Sequence, residues 1–386
     1  IMRKICVVVG SRANYSSIKS VMRAVDQHPD LELQLVVGAS ALLDRYGSVV
    51  DVIERDGFTP LARVHMLIEG ETPLTMAKST GLGLIELSTI FANLAPDVVI
   101  TVGDRFETMA TAIAAAYMNI PLAHTMGGEV TGTIDESIRH SVTKLAHIHF
   151  PANQQAGERI IKMGEDPRSV HVVGCPRIDL VAEIAAQDGS QLDREFLEKE
   201  GVGGHIDPDQ PFLLVNQHPV TTEFGAGEDQ INETLEALME LGMPTLMLWP
   251  NADAGSEDIA RGMRKFRERY RHDFIRFYKN FPVETFVRLM LKCACMIGNS
   301  SAMIREGAFL GAPSVNIGSR QAGRERGANV IDVGYGHEEV VAAVRRQLDH
   351  GRYPSQPIYG DGHAGTRIAD ILAEIHHVRL QKRICY

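Results

Sequence analysis

Asp97-Val98-Val99-Ile100-Thr101-Val102-Gly103-Asp104-Arg105-Phe106-Glu107-Thr108-Met109-Ala110 decides the fold. The run 98–102 is β-branched throughout and apolar but for Thr101, the pattern of a strand covered on both faces. Phe106, Met109, Ala110, Ile113 and Ala114 then recur at helical spacing. Between the two periods sits Gly103-Asp104-Arg105, a polar cluster at the carboxyl end of a strand, where open α/β sheets bind their ligands.

Working outward, the same strand, polar cluster and helix recur at Gly127-Gly128-Glu129, Gln217-His218-Pro219 and Gly298-Asn299-Ser300-Ser301. Strands are expected near 4–9, 32–37, 97–102, 120–124, 146–150 and 170–173. A second series is expected near 212–217, 244–249, 274–278, 295–298, 313–317 and 329–333. The repetition implies an α/β chain of two Rossmann-like domains facing a cleft. The expected division is 1–178 for the first and 179–363 for the second, with the C-terminal helix 364–386 packing back on the first.

Composition narrows the function. With 386 residues, 44% of them hydrophobic, the chain has material for two medium cores. A formal charge of -10 argues against a nucleic-acid binder, which needs a basic face. Arg12, Arg105, Arg139, Arg320 and Arg324 nevertheless fall in the suspected loops, which suits a small anionic ligand. Five cysteines, several in apolar segments, fit a reducing, cytoplasmic setting. Arg3-Lys4 leads directly into Ile5-Cys6-Val7-Val8-Val9, which reads as a first strand and not as a signal sequence. No run of about 18 apolar residues suggests a membrane span.

Each cluster has a plain and a chemical reading. Ser300 and Ser301 open a helix whose free N–H groups and dipole suit a diphosphate, though an ordinary N-cap explains them equally. Glu306 follows, placed to accept from ribose hydroxyls or to complement the helix dipole. Arg320 lies in a Gly-punctuated loop where a guanidinium stabilises a departing phosphate. Gly10-Ser11-Arg12-Ala13-Asn14-Tyr15-Ser16 follows the first strand without the GxGxxG of a dinucleotide fold, and Arg12 and Ser16 are candidate phosphate contacts. Asp104, Glu129, Asp135 and Glu136 are carboxylates from neighbouring loops that can divide acid and base roles. Asp104 has the alternative of capping the next helix, and Asp135 that of a first-turn acid. His218 stands at a strand mouth. His147 and His149 alternate on one strand and read as packed histidines, and no zinc spacing is present.

These motifs, with Gln217-His218-Pro219-Val220-Thr221-Thr222, 251–256 and Gly318 to Arg324, resemble the hydrolysing UDP-N-acetylglucosamine 2-epimerases of the sialic-acid type. That group includes the epimerase domain of a bifunctional animal enzyme. The resemblance runs in order through to Gly360-Asp361-Gly362 and implies a glycosyltransferase-B-like architecture. It implies elimination of UDP across C1–C2 to a glycal, then hydration to N-acetylmannosamine, with no cofactor or metal.

By the same resemblance, Asp104, Glu129 and Asp135 are the acid/base candidates and His218 lies near the reacting sugar and phosphate. Arg12, Ser16, Arg105, Asn251, Phe281, Ser300, Ser301, Glu306 and Arg320 bind the UDP-sugar, with Phe281 against the uracil. A homodimer or homotetramer is expected, with no nucleic-acid or membrane partner. Asn14 replaces a usual acid, and Thr125-Met126 replaces a usual Ile-Glu or Ile-His, so the sugar lining departs from the family. The same reaction on UDP-2,4-diacetamido-2,4,6-trideoxyglucose, on the legionaminic-acid route, is the nearest alternative. A glycosyltransferase has no use for the carboxylates at 129–136, and a non-catalytic nucleotide-sugar sensor has no need of filled acid/base positions.

Overall fold

A computed structural model describes residues 2–69, 73–131, 134–187, 192–250, 255–270, 273–375 and 378–385. The chain divides into two compact units. The first comprises 1–129, 134–180 and 359–386, and the second 181–358 with the short segment 130–133.

The first unit is built on a parallel sheet of β1 (Arg3–Val9), β2 (Leu31–Gly38), β3 (Ala62–Val64), β4 (Val98–Val102), β5 (Leu122–Thr125) and β6 (Ile148–Phe150). Their order is β3-β2-β1-β4-β5-β6, so the winding reverses between β1 and β4. Ile5 pairs with Leu33 on one side and Val98 on the other. Helices cover the faces because the strands are apolar on both: Cys6, Val36, Val99 and Leu122 pack with Leu87, Phe91, Ala110, Ala114 and Val142.

The second unit repeats the plan with β7 (Val202–Gly203), β8 (Leu213–Asn216), β9 (Thr245–Leu248), β10 (Ile275–Tyr278), β11 (Cys295–Gly298), β12 (Ser314–Ile317) and β13 (Val330–Val333). The order is β13-β12-β11-β8-β9-β10-β7, with only β7 antiparallel and the reversal between β8 and β11. Both units are therefore parallel-sheet α/β folds, and each reversal opens a crevice at strand carboxyl ends where a ligand binds.

Two expectations change, and two short strands are added. The stretch 170–173 makes one bridge, Val170 to His149, and Val172 is exposed, so the strand is not formed. β3 and β7 are real but are short edge strands of two or three residues, too brief to show a period. The C-terminal helix is Ala364–Glu374 and does not continue to 386, because Ile375 turns extended. That helix belongs to the first unit. The Asp179 carboxylate accepts from the N–H groups of Ala364 and Gly365 at 2.9 and 2.7 Å, and Gly365 lies so close to the Ser20 backbone that a Cβ would crowd it. Beyond it, the Lys382 ammonium donates to the Lys144 carbonyl at 2.8 Å, capping the end of helix Asp135–Leu145. Among the described residues no helix is long and apolar enough to cross a membrane.

Candidate active site

In the first unit the crevice is lined by the loops after β1, β4 and β5. Asp104 follows Gly103, whose φ of +71° lets the chain turn sharply off β4. The capping role considered for Asp104 is not the one adopted: Arg105 is the N-cap of helix Phe106–Tyr117, without a side-chain bond. Asp104 instead forms an ion pair with Arg139, a guanidinium with only 2% of its side chain exposed. The other arm of Arg139 donates to the Glu129 carbonyl at 2.8 Å. One buried arginine thus fixes both the Asp104 carboxylate and the backbone that carries Glu129.

Glu129 is itself buried. The two glycines before it are required by crowding, since a Cβ on Gly128 would strike the Ala156 carbonyl and one on Gly127 would crowd His124 and Thr143. Met126, a non-glycine residue at φ +61°, stores backbone strain at the same mouth. Asp135 opens helix Asp135–Leu145 one turn before Arg139, on the same helix face. Arg139 thus joins the Asp104 carboxylate to the Glu129 backbone, and Asp135 lies one helical turn before it in the same helix.

His124 supports this group from β5. Its Nε2–H donates to the Gly103 carbonyl at 2.8 Å, and its Nδ1 accepts from the Thr143 hydroxyl at 3.3 Å, with the tautomer assigned from those partners. Burial pushes its pKa down to about 3, so it is a neutral strut and not an acid.

The loop after β1 forms a short helix, Arg12–Ser16, capped by Ser11. Asn14 is buried, and its side-chain carbonyl accepts from Gly10 N–H at 3.2 Å. Ser16 is also buried and accepts from Arg177 at 2.8 Å. Arg12 is partly buried, and desolvation lowers its pKa. Arg105 donates to Glu107 at 3.2 Å.

In the second unit the crevice is held by amides. Asn299 accepts from the His218 N–H at 2.7 Å and donates to the His218 carbonyl at 2.8 Å, locking the loops after β8 and β11 together. Gly298, at φ +134°, permits this because a Cβ would collide with the Asn216 carbonyl. The Asn299 carbonyl in turn accepts from Arg320 at 3.2 Å and Gln321 at 2.9 Å. His218 is buried, and burial followed by the nearby Arg320 charge holds its pKa well below the usual value.

Ser300 adopts the plain role of N-cap for helix Ser301–Leu310, accepting from Ala302 N–H at 3.3 Å. The Ser301 hydroxyl accepts from Arg305 at 3.0 Å. Glu306 lies past the first turn of that helix, only 2% exposed. Phe281, the expected uracil contact, is 3% exposed and packs on Tyr278 with ring centroids 4.6 Å apart. Asn251 lies outside the described residues.

The sequence alone singled out neither His124 nor the pinning role of Asn299, and it marked Arg139 as a cation on the helix begun by Asp135 without its partners. Glu233, Glu236 and His337 bring donor atoms within 4.8 Å of one another. Glu233 there accepts from His337 N–H at 2.8 Å, as a cap of helix His337–His350 would.

A family model described as UDP-N-acetylglucosamine 2-epimerase matches residues 23–373. The chain is 33% identical to a UDP-N,N'-diacetylbacillosamine 2-epimerase (hydrolyzing) of Legionella pneumophila, over 97% of this chain and 96% of that one. It is 30% identical to a UDP-N-acetylglucosamine 2-epimerase of Neisseria meningitidis, over 99% and 98%. The fold matches a Neisseria meningitidis UDP-GlcNAc 2-epimerase crystallised with UDP-GlcNAc, with a TM-score of 0.81 at 17% identity, over 96% of this chain and 99% of that one.

Proposed function

The chain belongs to the UDP-N-acetylglucosamine 2-epimerase family, and from that premise we propose that it is a hydrolysing 2-epimerase acting on UDP-2,4-diacetamido-2,4,6-trideoxyglucose, which is UDP-N,N'-diacetylbacillosamine. The observation that carries the substrate is the 33% identity, over nearly both whole chains, to the Legionella relative of that name. Buried Asn14 and strained Met126, both departures from the family pattern, support an altered sugar lining. UDP-N-acetylglucosamine, leading to N-acetylmannosamine and sialic acid, is the second reading, favoured by the Neisseria relative.

The chemistry divides into a proton problem and a leaving-group problem. A carboxylate removes the C2 proton, the C1–O bond breaks, and UDP leaves with the bonding electrons. Water then adds to C1 of the glycal while a proton returns to C2 from the opposite face, giving free 2-epimeric sugar and UDP. Asp104, Glu129 and Asp135 are assigned the proton transfers, with Arg139 holding Asp104 and the Glu129 backbone. Arg320, the Ser300 and Ser301 loop and His218 are assigned the diphosphate side, where positioned donors are worth most as charge develops.

The test compares kcat/KM for the two UDP-sugars, with product proton spectra taken in deuterated water. A site that bonds the 4-substituent rejects its analogue by up to about 10⁴-fold. Preference for the diacetamido sugar is expected, with deuterium at C2 of the product. Preference for UDP-N-acetylglucosamine would move the enzyme to the second reading, and full retention of the C2 proton would overturn the elimination.

A further inference from the structure

We propose that Glu223 is a positioning residue for the diphosphate side: its carboxylate ties the loop after β8 to the loop after β12, and so holds Arg320 in place beside Asn299 and His218. The proposal rests on the reading above that Arg320 meets the leaving diphosphate.

Glu223 ends a short helical turn, Thr221–Glu223, five residues beyond His218. Its carboxylate accepts from three side chains on three other segments. Ser319, the neighbour of Arg320, donates to one oxygen. The Tyr335 hydroxyl and the Gln230 amide donate to the other, both at 2.6 Å. An ionised carboxylate is the only common side chain that accepts from several donors and presents none of its own. Burial alone would raise the Glu223 carboxyl, but the three bonds outweigh it and hold the pKa below its usual value. The same contact, added to burial, pushes the Tyr335 phenol up to about 12.

The backbone is shaped for this tie. Gly318 takes φ +74°, and a Cβ there would strike the Tyr335 hydroxyl, so only glycine lets the phenol reach Glu223 past the loop. Gly318 N–H is bonded to the Val333 carbonyl at 3.0 Å and Ala322 N–H to the Ser319 carbonyl at 2.9 Å, which leaves Ser319 and Arg320 on a tight turn. The contacts then close a ring. His218 leads along the chain to Glu223, Glu223 bonds Ser319, Arg320 donates to Asn299, and Asn299 bonds back to His218. Removing the carboxylate opens that ring where the loop after β8 meets the Arg320 loop.

The experiment is a double-mutant cycle on UDP affinity, measured by calorimetry on the full chain for the unaltered protein, Glu223→Gln, Arg320→Ala and the pair, with a melting curve for each. Glu223→Gln keeps the shape but puts an N–H₂ among donors, and should weaken UDP by about tenfold, the scale of one hydrogen bond to a charged group. Arg320→Ala should weaken it at least as much, and the pair should be no weaker than Arg320→Ala alone. If Arg320→Ala leaves the dissociation constant unchanged, the assignment of Arg320 to the diphosphate fails. If Arg320→Ala weakens UDP while Glu223→Gln does not, or if the two effects add, the positioning role is overturned. Should Glu223→Gln not fold, Ser319→Ala cuts the same tie at an exposed position. It should weaken UDP in the same direction by less, and have no effect once Arg320 is alanine; an unchanged constant or an additive effect would overturn the role equally.

Discussion

The two crevices share a topology and differ in what holds them. Each lies where a parallel sheet reverses its winding, between β1 and β4 in the first unit and between β8 and β11 in the second. In the first, the pin is a charge: Arg139, almost wholly buried, grips Asp104 and the Glu129 backbone. In the second, the pin is neutral: the Asn299 amide makes two bonds to the His218 backbone. A charged pin is costly to build, because a buried ion must be repaid by its partners, and it fixes the Asp104 carboxylate, to which a proton transfer is assigned. A neutral pin adds no charge to its crevice, where the proposed function assigns the diphosphate. Under the proposed function, the same scaffold serves proton transfer in one unit and phosphate binding in the other.

The largest expected effect separates these roles directly. Glu129→Gln and Asp104→Asn keep side-chain shape but remove a titratable group, and kcat should fall about 10²–10⁴-fold, the usual range for general acid–base catalysis. The UDP dissociation constant should stay unchanged in both, since neither carboxylate is assigned to the diphosphate side. Affinity lost in proportion to turnover would break the division.

Stability gives the next test. Arg139→Met strips a buried pair of its cation, and breaking such pairs costs on the order of 3–5 kcal/mol; with Asp104 24% exposed, the low end applies. Asn299→Ala removes neutral bonds and should cost about 1–3 kcal/mol. Trp249 is the only tryptophan in the chain and packs against the second unit's core, so its fluorescence follows that unit while circular dichroism follows both. Urea unfolding of Arg139→Met should shift the dichroism more than the fluorescence, and Asn299→Ala the reverse. Equal shifts in both signals would show that the units unfold as one and that the pins cannot be compared unit by unit.

The sequence revealed the sheets better than the pins, for a physical reason. Strands 97–102 and 295–298 are apolar on both faces, and such runs are visible without knowing what packs on them. β3, with Arg63 in its centre, is a three-residue edge strand and carries no such signal. The carboxylates and Gly-rich turns stood out because they break apolar runs. Arg139 and His124 did not: each sits inside an element, and its role depends on a partner 35 or 21 residues away that no local period records. The roles of Ser300 and Phe281 were undecidable locally for the same reason. An N-cap and an anion site share one motif, and whether an aromatic ring faces core or ligand is set by Tyr278 and its neighbours.

The smallest expected effect concerns pH, and it falls unequally on the two units. His124 is buried neutral with its pKa near 3, and His149, fully buried on β6 against Glu165, is also lowered by desolvation. Both belong to the first unit, whereas His218 is the corresponding case in the second. Below the ordinary histidine pKa of 6.5 the unfolded chain takes up protons that the folded chain refuses, so the stability from each neutral buried ring is fully present above 6.5 and declines as pH falls toward its folded pKa. For His124 the slope rises to about 1.4 kcal/mol per pH unit once the unfolded ring is protonated. Between pH 7 and pH 5 the dichroism midpoint should therefore fall further than the Trp249 midpoint. His124→Gln, which removes one titrating ring while keeping a donor for the Gly103 carbonyl, should flatten the dichroism slope by about 1.4 kcal/mol per pH unit and leave the Trp249 slope as it was. An unchanged dichroism slope would mean that His124 is not held neutral beneath Asp104, and the charged pin of the first unit would then rest on a charged strut as well.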